Sequence, residues 1–255
     1  MTKRLYAACG AMALALAACS EDKGDVGGTS VEPNTVYADG RALWNPLAGD
    51  YHVNTARYAK SWPDRAVEDG RWFWEMQNDS LDGGGSYIEW PVEFPEGVDS
   101  LTAVVNACGG ICGTAVLKRG ELVYDPFVSV GFTVAKSELD EEMPVDVSNW
   151  GGLCISYSSE VASRLLLDLS NDVDVRLMFG LPFVELPATD AVVSKCIRWN
   201  EFELPFWVKT EDEYWKTDVG VKAAQELVAV RFQIQAKEGG YKFNIKYIGT
   251  IDDME

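Results

Sequence analysis

The stretches LVAVRFQIQA (Leu227–Ala236) and YKFNIKYI (Tyr241–Ile248), separated by the turn Glu238-Gly239-Gly240, decide the fold class. In the first, Val230, Phe232 and Ile234 alternate with Arg231, Gln233 and Gln235. In the second, Phe243, Ile245 and Tyr247 alternate with Lys242, Asn244 and Lys246. A period of two with one apolar side describes strands that bury one face and show the other to water.

The same pattern extends backwards along the chain. Leu165, Leu167 and Leu169 alternate with Arg164, Leu166 and Asp168. Further strands are predicted over Arg71–Gln77, Ser86–Val92, Leu101–Asn106, Val128–Ala135, Leu153–Ser158, Arg164–Leu169, Val175–Leu181 and Ile197–Leu204, with a helical turn or two at Val219–Glu226. Turn signals lie between them at Asp82-Gly83-Gly84-Gly85, Lys118-Arg119-Gly120 and Gly151-Gly152. Many short strands with regular turns predict an all-β, antiparallel β-sandwich of jelly-roll type.

The N-terminus predicts export. Lys3 and Arg4 precede an apolar run, Ala11–Ala18, far shorter than the roughly 20 residues of a spanning helix. The run ends in Leu16-Ala17-Ala18-Cys19, which resembles the bacterial lipobox. That resemblance implies removal of residues 1–18 and a diacylglyceryl anchor on Cys19. The polar, glycine-containing segment 19–30 then serves as a flexible tether. It precedes a β-sandwich domain over 31–255, with an extended lead-in over 31–70. No Asp follows Cys19 to resemble an inner-membrane retention signal, and Ser20-Glu21-Asp22 resembles surface-export signals of some gut bacteria. The expected location is the outer membrane, lipid-anchored and surface-exposed.

The chain carries 22 basic and 40 acidic residues, a net charge of −18. Loss of Lys3 and Arg4 with the signal leaves 20 basic against 40 acidic residues, or −20. Such a surface repels phosphate backbones and anionic lipid, and it leaves neutral glycans acceptable.

Four cysteines remain beyond Cys9 and Cys19, namely Cys108, Cys112, Cys154 and Cys196. Four cysteines allow three pairings. In an oxidising compartment they are expected as disulfides, with Cys108 paired to Cys112 across its glycine loop and Cys154 to Cys196. With His52 the sole histidine, zinc ligation and a Ser-His-Asp triad find little support.

The segment Trp150-Gly151-Gly152-Leu153-Cys154-Ile155-Ser156-Tyr157-Ser158-Ser159 looks like the central strand of jelly-roll modules from secreted proteins of fibre-degrading bacteria. These are similar to family 11 carbohydrate-binding modules, with a galactose-binding-like fold. Ile197–Phe202 and Pro205-Phe206-Trp207 resemble their Trp-x-x-Phe … Pro-x-Trp segment, and Ala223–Gln235, Phe243-Asn244-Ile245 and Ile248-Gly249 their closing strands. The resemblance spans about residues 71–250. It implies a sandwich that captures plant-type polysaccharide without catalysis. It also implies a structural calcium, for which Asn78, Asp79 and Asp82, or Asp252 and Asp253, supply hard oxygen ligands.

Nine tryptophans and ten tyrosines support glycan binding, because the C–H faces of sugars lie flat on aromatic rings. Most of these rings belong in a sandwich core. Trp199, Trp207 and Trp215 stand among polar or loop residues and are expected to be exposed platforms. Arg164, Asp168, Arg176, Arg231 and Gln233, on polar strand faces, are expected to bond sugar hydroxyls. Two other functions remain open: a structural or protein-binding surface lipoprotein on the same fold, and a jelly-roll glycoside hydrolase or lyase.

Overall fold

A computed structural model describes residues 42–46, 51–55, 60–61, 65–66, 71–72, 74–94, 100–136, 142–209 and 212–251. The expected signal sequence (1–18) and tether (19–30) with Cys19, and Asp252 and Asp253, lie outside the described residues. Eleven strands build two antiparallel sheets: β1 Ala42–Trp44, β2 Trp74–Asn78, β3 Tyr87–Glu89, β4 Ile111–Leu117, β5 Phe127–Thr133, β6 Gly152–Ser159, β7 Ser163–Asp168, β8 Phe183–Leu186, β9 Thr189–Arg198, β10 Ala229–Gln235 and β11 Gly239–Thr250. One sheet has the order β9-β6-β11-β4-β3, with β1 paired to the far end of β11; the other runs β8-β7-β10-β5-β2. Of two further two-residue pairs, Lys60–Ser61 with Arg65–Ala66 lies in the lead-in, and Val53–Asn54 with Arg71–Trp72 joins the lead-in to the start of the domain. This is the antiparallel, jelly-roll-type sandwich expected from the alternation.

The core is the set of inward residues from both sheets. Val230, Phe232 and Ile234 of β10 are buried, as are Leu165 and Leu167 of β7 and Phe243 and Ile245 of β11. Phe232 packs on Tyr157 and Phe243 at 5.8 and 6.2 Å between ring centres, stitching one sheet to the other. Trp74 stands edge-on to Trp44 and Phe132 at 5.3 and 5.6 Å. Burying each such ring is worth on the order of 2–3 kcal/mol.

Both disulfides join the expected partners. Cys154 and Cys196 are direct neighbours across β6 and β9, with Cα atoms 3.9 Å apart. Cys108 and Cys112 tie the end of a helix to the start of β4.

Three expected strands take other forms. Leu101–Asn106 lies inside helix α1, Ser100–Cys108, and its buried Leu101, Val104 and Val105 follow the i, i+3, i+4 spacing of a helix face. Val175–Leu181 begins in helix α2, Asn171–Arg176, which buries Val173 and Leu177. It ends in a loop where Met178 and Phe179 have φ of 54° and 58°. Ile197–Leu204 leaves the sheet after Arg198 as a 3-10 turn, Trp199–Glu201. The helix expected near Val219–Glu226 is α3, Val219–Gln225.

Candidate functional site

The outer face of the five-stranded sheet forms the floor of a groove of about 750 Å³. Cross-strand register lines up two rows there. Gln77 of β2, Ser129 of β5, Gln233 of β10 and Arg164 of β7 are successive partners. The adjacent row places Gly131, Arg231, Leu166 and Phe183 side by side. Gly131 is required here: a Cβ on it would lie 2.4 Å from the Val230 carbonyl and 2.8 Å from the Arg231 side chain. One edge of the groove carries Leu81, Asp82 and Tyr124; the other carries Phe179, Pro205 and Trp207.

The polar floor is held in place. Arg231, 6% exposed, bonds through Nε to Asp168 Oδ2. Its two terminal nitrogens donate to the Gln77 carbonyl oxygen at 2.8 and 2.9 Å, in the amide orientation that satisfies both groups. Arg164 donates to Gln235 at 3.0 Å and lies 4.8 Å over the Phe183 ring. Glu185 stands 3.8 Å from the same guanidinium. Each groove cation therefore has its own carboxylate, and the guanidinium planes are fixed before any ligand arrives.

Farther along the same face of β7, Asp168 is 8% exposed, and burial raises its carboxyl against the opposing pull of Arg231. Asp174 of α2 is pushed up to about 7, first by burial and then by the charge of Asp168. One oxygen of each carboxylate is buried without a hydrogen-bond partner. At the rim, Tyr124 donates its hydroxyl to Asp82 Oδ2 and is pushed up to about 12, by burial and then by that bond.

The expected site residues separate into those the groove gathers and those it does not. Trp207, Arg164, Arg231 and Gln233 line it, with Trp207 47% exposed. Asp168 holds Arg231 through its Nε. Trp199 and Trp215, expected as exposed platforms, are instead buried at 4% and 1%. Both sit on one-turn 3-10 helices, where the polar neighbours face solvent and the indole turns inward. Trp199 donates through Nε1 to the Ser148 carbonyl at 3.2 Å. Arg176, expected on a strand face, ends α2 and pairs with Asp212 at 3.4 Å, away from the groove lining.

The calcium expectation at the glycine-rich loop meets a different arrangement. Asp79 is buried and accepts from Ser86 N at 3.0 Å, Ser86 Oγ at 2.7 Å and Phe127 N at 2.9 Å. Asn78 caps Ser80 N, and Asp82 takes the Tyr124 hydroxyl. These oxygens are engaged by protein donors, so the loop is closed by hydrogen bonds from its own chain. Among the described residues no three metal-ligating side chains converge.

Sequence reasoning missed Gln77, Tyr124, Phe179, Phe183 and Gln235 as lining residues. Gln235 was legible as the next member of the Arg231, Gln233 alternation. Phe179 carried no signal, because its segment was read as a strand.

No family model matches the chain, and no curated protein matches it. Solved structures resemble it in fold. A family 11 carbohydrate-binding module from Clostridium thermocellum, in complex with a β-1,3-1,4-mixed-linked tetrasaccharide, is 12% identical over 71% of this chain and 90% of that chain, with a TM-score of 0.43. The family 11 module of a cellulosomal cellulase from the same organism is 12% identical over 71% and 89%, also at 0.43. A family 29 carbohydrate-binding module is 12% identical over 71% and 88%, at 0.30.

Proposed function

We propose that this chain is an exported, lipid-anchored protein whose sandwich captures neutral, plant-type polysaccharide at the cell surface without catalysis. The observation that carries the reading is the groove itself. Exposed aromatic edges, Trp207, Phe179 and Tyr124, rise over a floor of amides and guanidinium groups fixed by their neighbours. Aromatic faces take the C–H sides of sugar rings while amides and guanidinium groups meet the hydroxyls. Glycoside hydrolysis uses two carboxyl groups flanking the scissile bond. Among the described residues the groove lining offers one, Asp82, already bonded to Tyr124. The Leu16–Cys19 segment, the polar tether and the two disulfides support export and anchoring.

Affinity electrophoresis against β-glucan, xyloglucan and galactomannan tests the reading. Wild type is retarded by at least one of them. Trp207→Ala, at a half-exposed position, loses about 10- to 100-fold in affinity, corresponding to roughly 1–3 kcal/mol for a stacking contact, while its melting temperature holds. Free migration of wild type through every gel refutes glycan capture and leaves a protein partner for this fold.

A further inference from the structure

The outer face of the six-stranded sheet carries a second depression, about 590 Å³, on the side of the sandwich away from the groove. It lies where the Trp90–Phe94 segment rises beside the sheet, with Phe94 43% exposed and tilted against Trp90 at 6.2 Å. Register runs across it from Glu89 of β3 to Thr114 of β4 and on to Lys242 of β11. Beyond these, Ser159 of β6 pairs with Thr189, beside Asp190 of β9. Four interstrand steps of about 4.8 Å make a trough roughly 19 Å long, crossing the strands.

Ser159, Glu160 and Thr189 in its lining bond to nearby backbone, and four other polar side chains there are uncommitted. Among the described residues, Glu89, Thr114, Asp190 and the Lys242 amine make no hydrogen bond or ion pair with another side chain. Asn244 Oδ1 is buried beside Gly110 with no hydrogen-bond partner, which leaves its amide nitrogen as the group available to the trough. Buried polar groups are normally satisfied, and charged ones on a solvated sheet commonly pair across strands. Here donors (Lys242, Asn244) alternate with acceptors (Glu89, Asp190) beside one indole. The Cys108–Cys112 disulfide stiffens the adjoining wall.

The length and chemistry select the occupant. The carboxylates are strung along the trough, and no three of them converge on one point, which disfavours a bound cation. Glu89, Glu160 and Asp190 against one lysine repel uronates and phosphates. Among the described residues the apolar lining comes from Trp90, Pro91 and Phe243, with Phe94 tilted against Trp90, which is too little for the core of a protein interface. An extended chain of uncharged hydroxyls, each both donor and acceptor, fits all three features. We propose that this trough is a second binding site for neutral polysaccharide, so that one molecule engages two glycan segments from opposite faces. The proposal rests on the glycan-binding reading of the groove.

The test compares the purified full chain as wild type, Trp207→Ala, Asp190→Ala/Lys242→Ala and the triple variant, on the same β-glucan, xyloglucan and galactomannan gels. Asp190 and Lys242 are exposed, so their double variant keeps the wild-type melting temperature. The expected result is a loss of affinity of about 10-fold in Trp207→Ala with retention still measurable, a similar loss in Asp190→Ala/Lys242→Ala, and no retention in the triple variant. If Asp190→Ala/Lys242→Ala migrates like wild type, the second site is refuted and the groove stands alone. The same holds if Trp207→Ala by itself removes all retention. If wild type is retarded by none of the glycans, both sites fall together.

Discussion

Asp174→Asn should make the protein more stable above neutral pH and leave it nearly unchanged in mild acid. Asp174 sits in α2 near the Arg231–Asp168 pair and is raised to about 7. An unfolded aspartate titrates near 3.9. Between these values the folded chain keeps a proton that the unfolded chain has lost. Wild-type stability therefore falls as pH rises from about 4 to about 7, then levels off. Three pH units correspond to ~4 kcal/mol at 1.36 kcal/mol each. Asp174 keeps partial contact with water, so about 2–3 kcal/mol is the working figure. Asparagine has the same shape and never ionises, so the variant escapes that loss. Urea unfolding of both proteins from pH 4.5 to 8.5 provides the comparison. About two-thirds of that loss falls above pH 5, so the difference in stability should grow by about 1.3–2 kcal/mol between pH 5 and pH 8, and subtraction cancels the groups that do not interact with Asp174. A difference that stays flat over that range refutes a protonated Asp174.

Trp215→Ala and Trp199→Ala should each lose about 3–5 kcal/mol of stability in denaturant, because both indoles are core. Any folded fraction should bind glycan like wild type. Cys154→Ala/Cys196→Ala opens a loop of sequence separation 42, and calorimetry should register a loss on the order of 3–4 kcal/mol. Asp79→Ala strands the buried Ser86 and Phe127 N–H groups, at about 1–3 kcal/mol per group. Wild type should show the same melting temperature in calcium and in a chelator, since Asp79 is occupied by protein donors. Mass spectrometry of the mature N-terminal peptide should reveal acyl chains on Cys19; an unmodified thiol there would remove the membrane anchor from the reading.

Strands whose two faces differ in polarity were legible in the sequence. β10 alternates throughout and β7 and β11 over most of their length, and they supply the core and part of the groove floor. Elements whose period is short or mixed were not. α1 is a short run carrying β-branched valines, which reads as a strand, and tertiary packing overrides that local signal to give a helix. β9 is a sheet edge with an irregular burial pattern, and only its last residues were recognised. The two buried tryptophans were misplaced for a related reason. On a single 3-10 turn, polar neighbours in sequence say nothing about which way the central indole points.

The worst misreading, Val175–Leu181, coincides with the costliest local structure. Met178 and Phe179 are consecutive non-glycine residues in the left-handed region, at about 1–2 kcal/mol each. Phe179 is nevertheless 70% exposed, so no burial of its ring offsets that cost. The same helix carries Asp174, whose buried carboxyl opposes stability above neutral pH. Next to it, Asp168 and Arg231 form a buried ion pair, an arrangement that well-packed apolar residues often equal or exceed in stability. Three unfavourable features thus meet at one end of one groove. Two of them hold something in that groove: the left-handed turn presents Phe179, and Asp168 fixes the Arg231 guanidinium. Local rules of stability are broken where a site has to be presented. That concentration of strain and buried charge argues for the groove as the working face of this protein, on grounds independent of what it resembles.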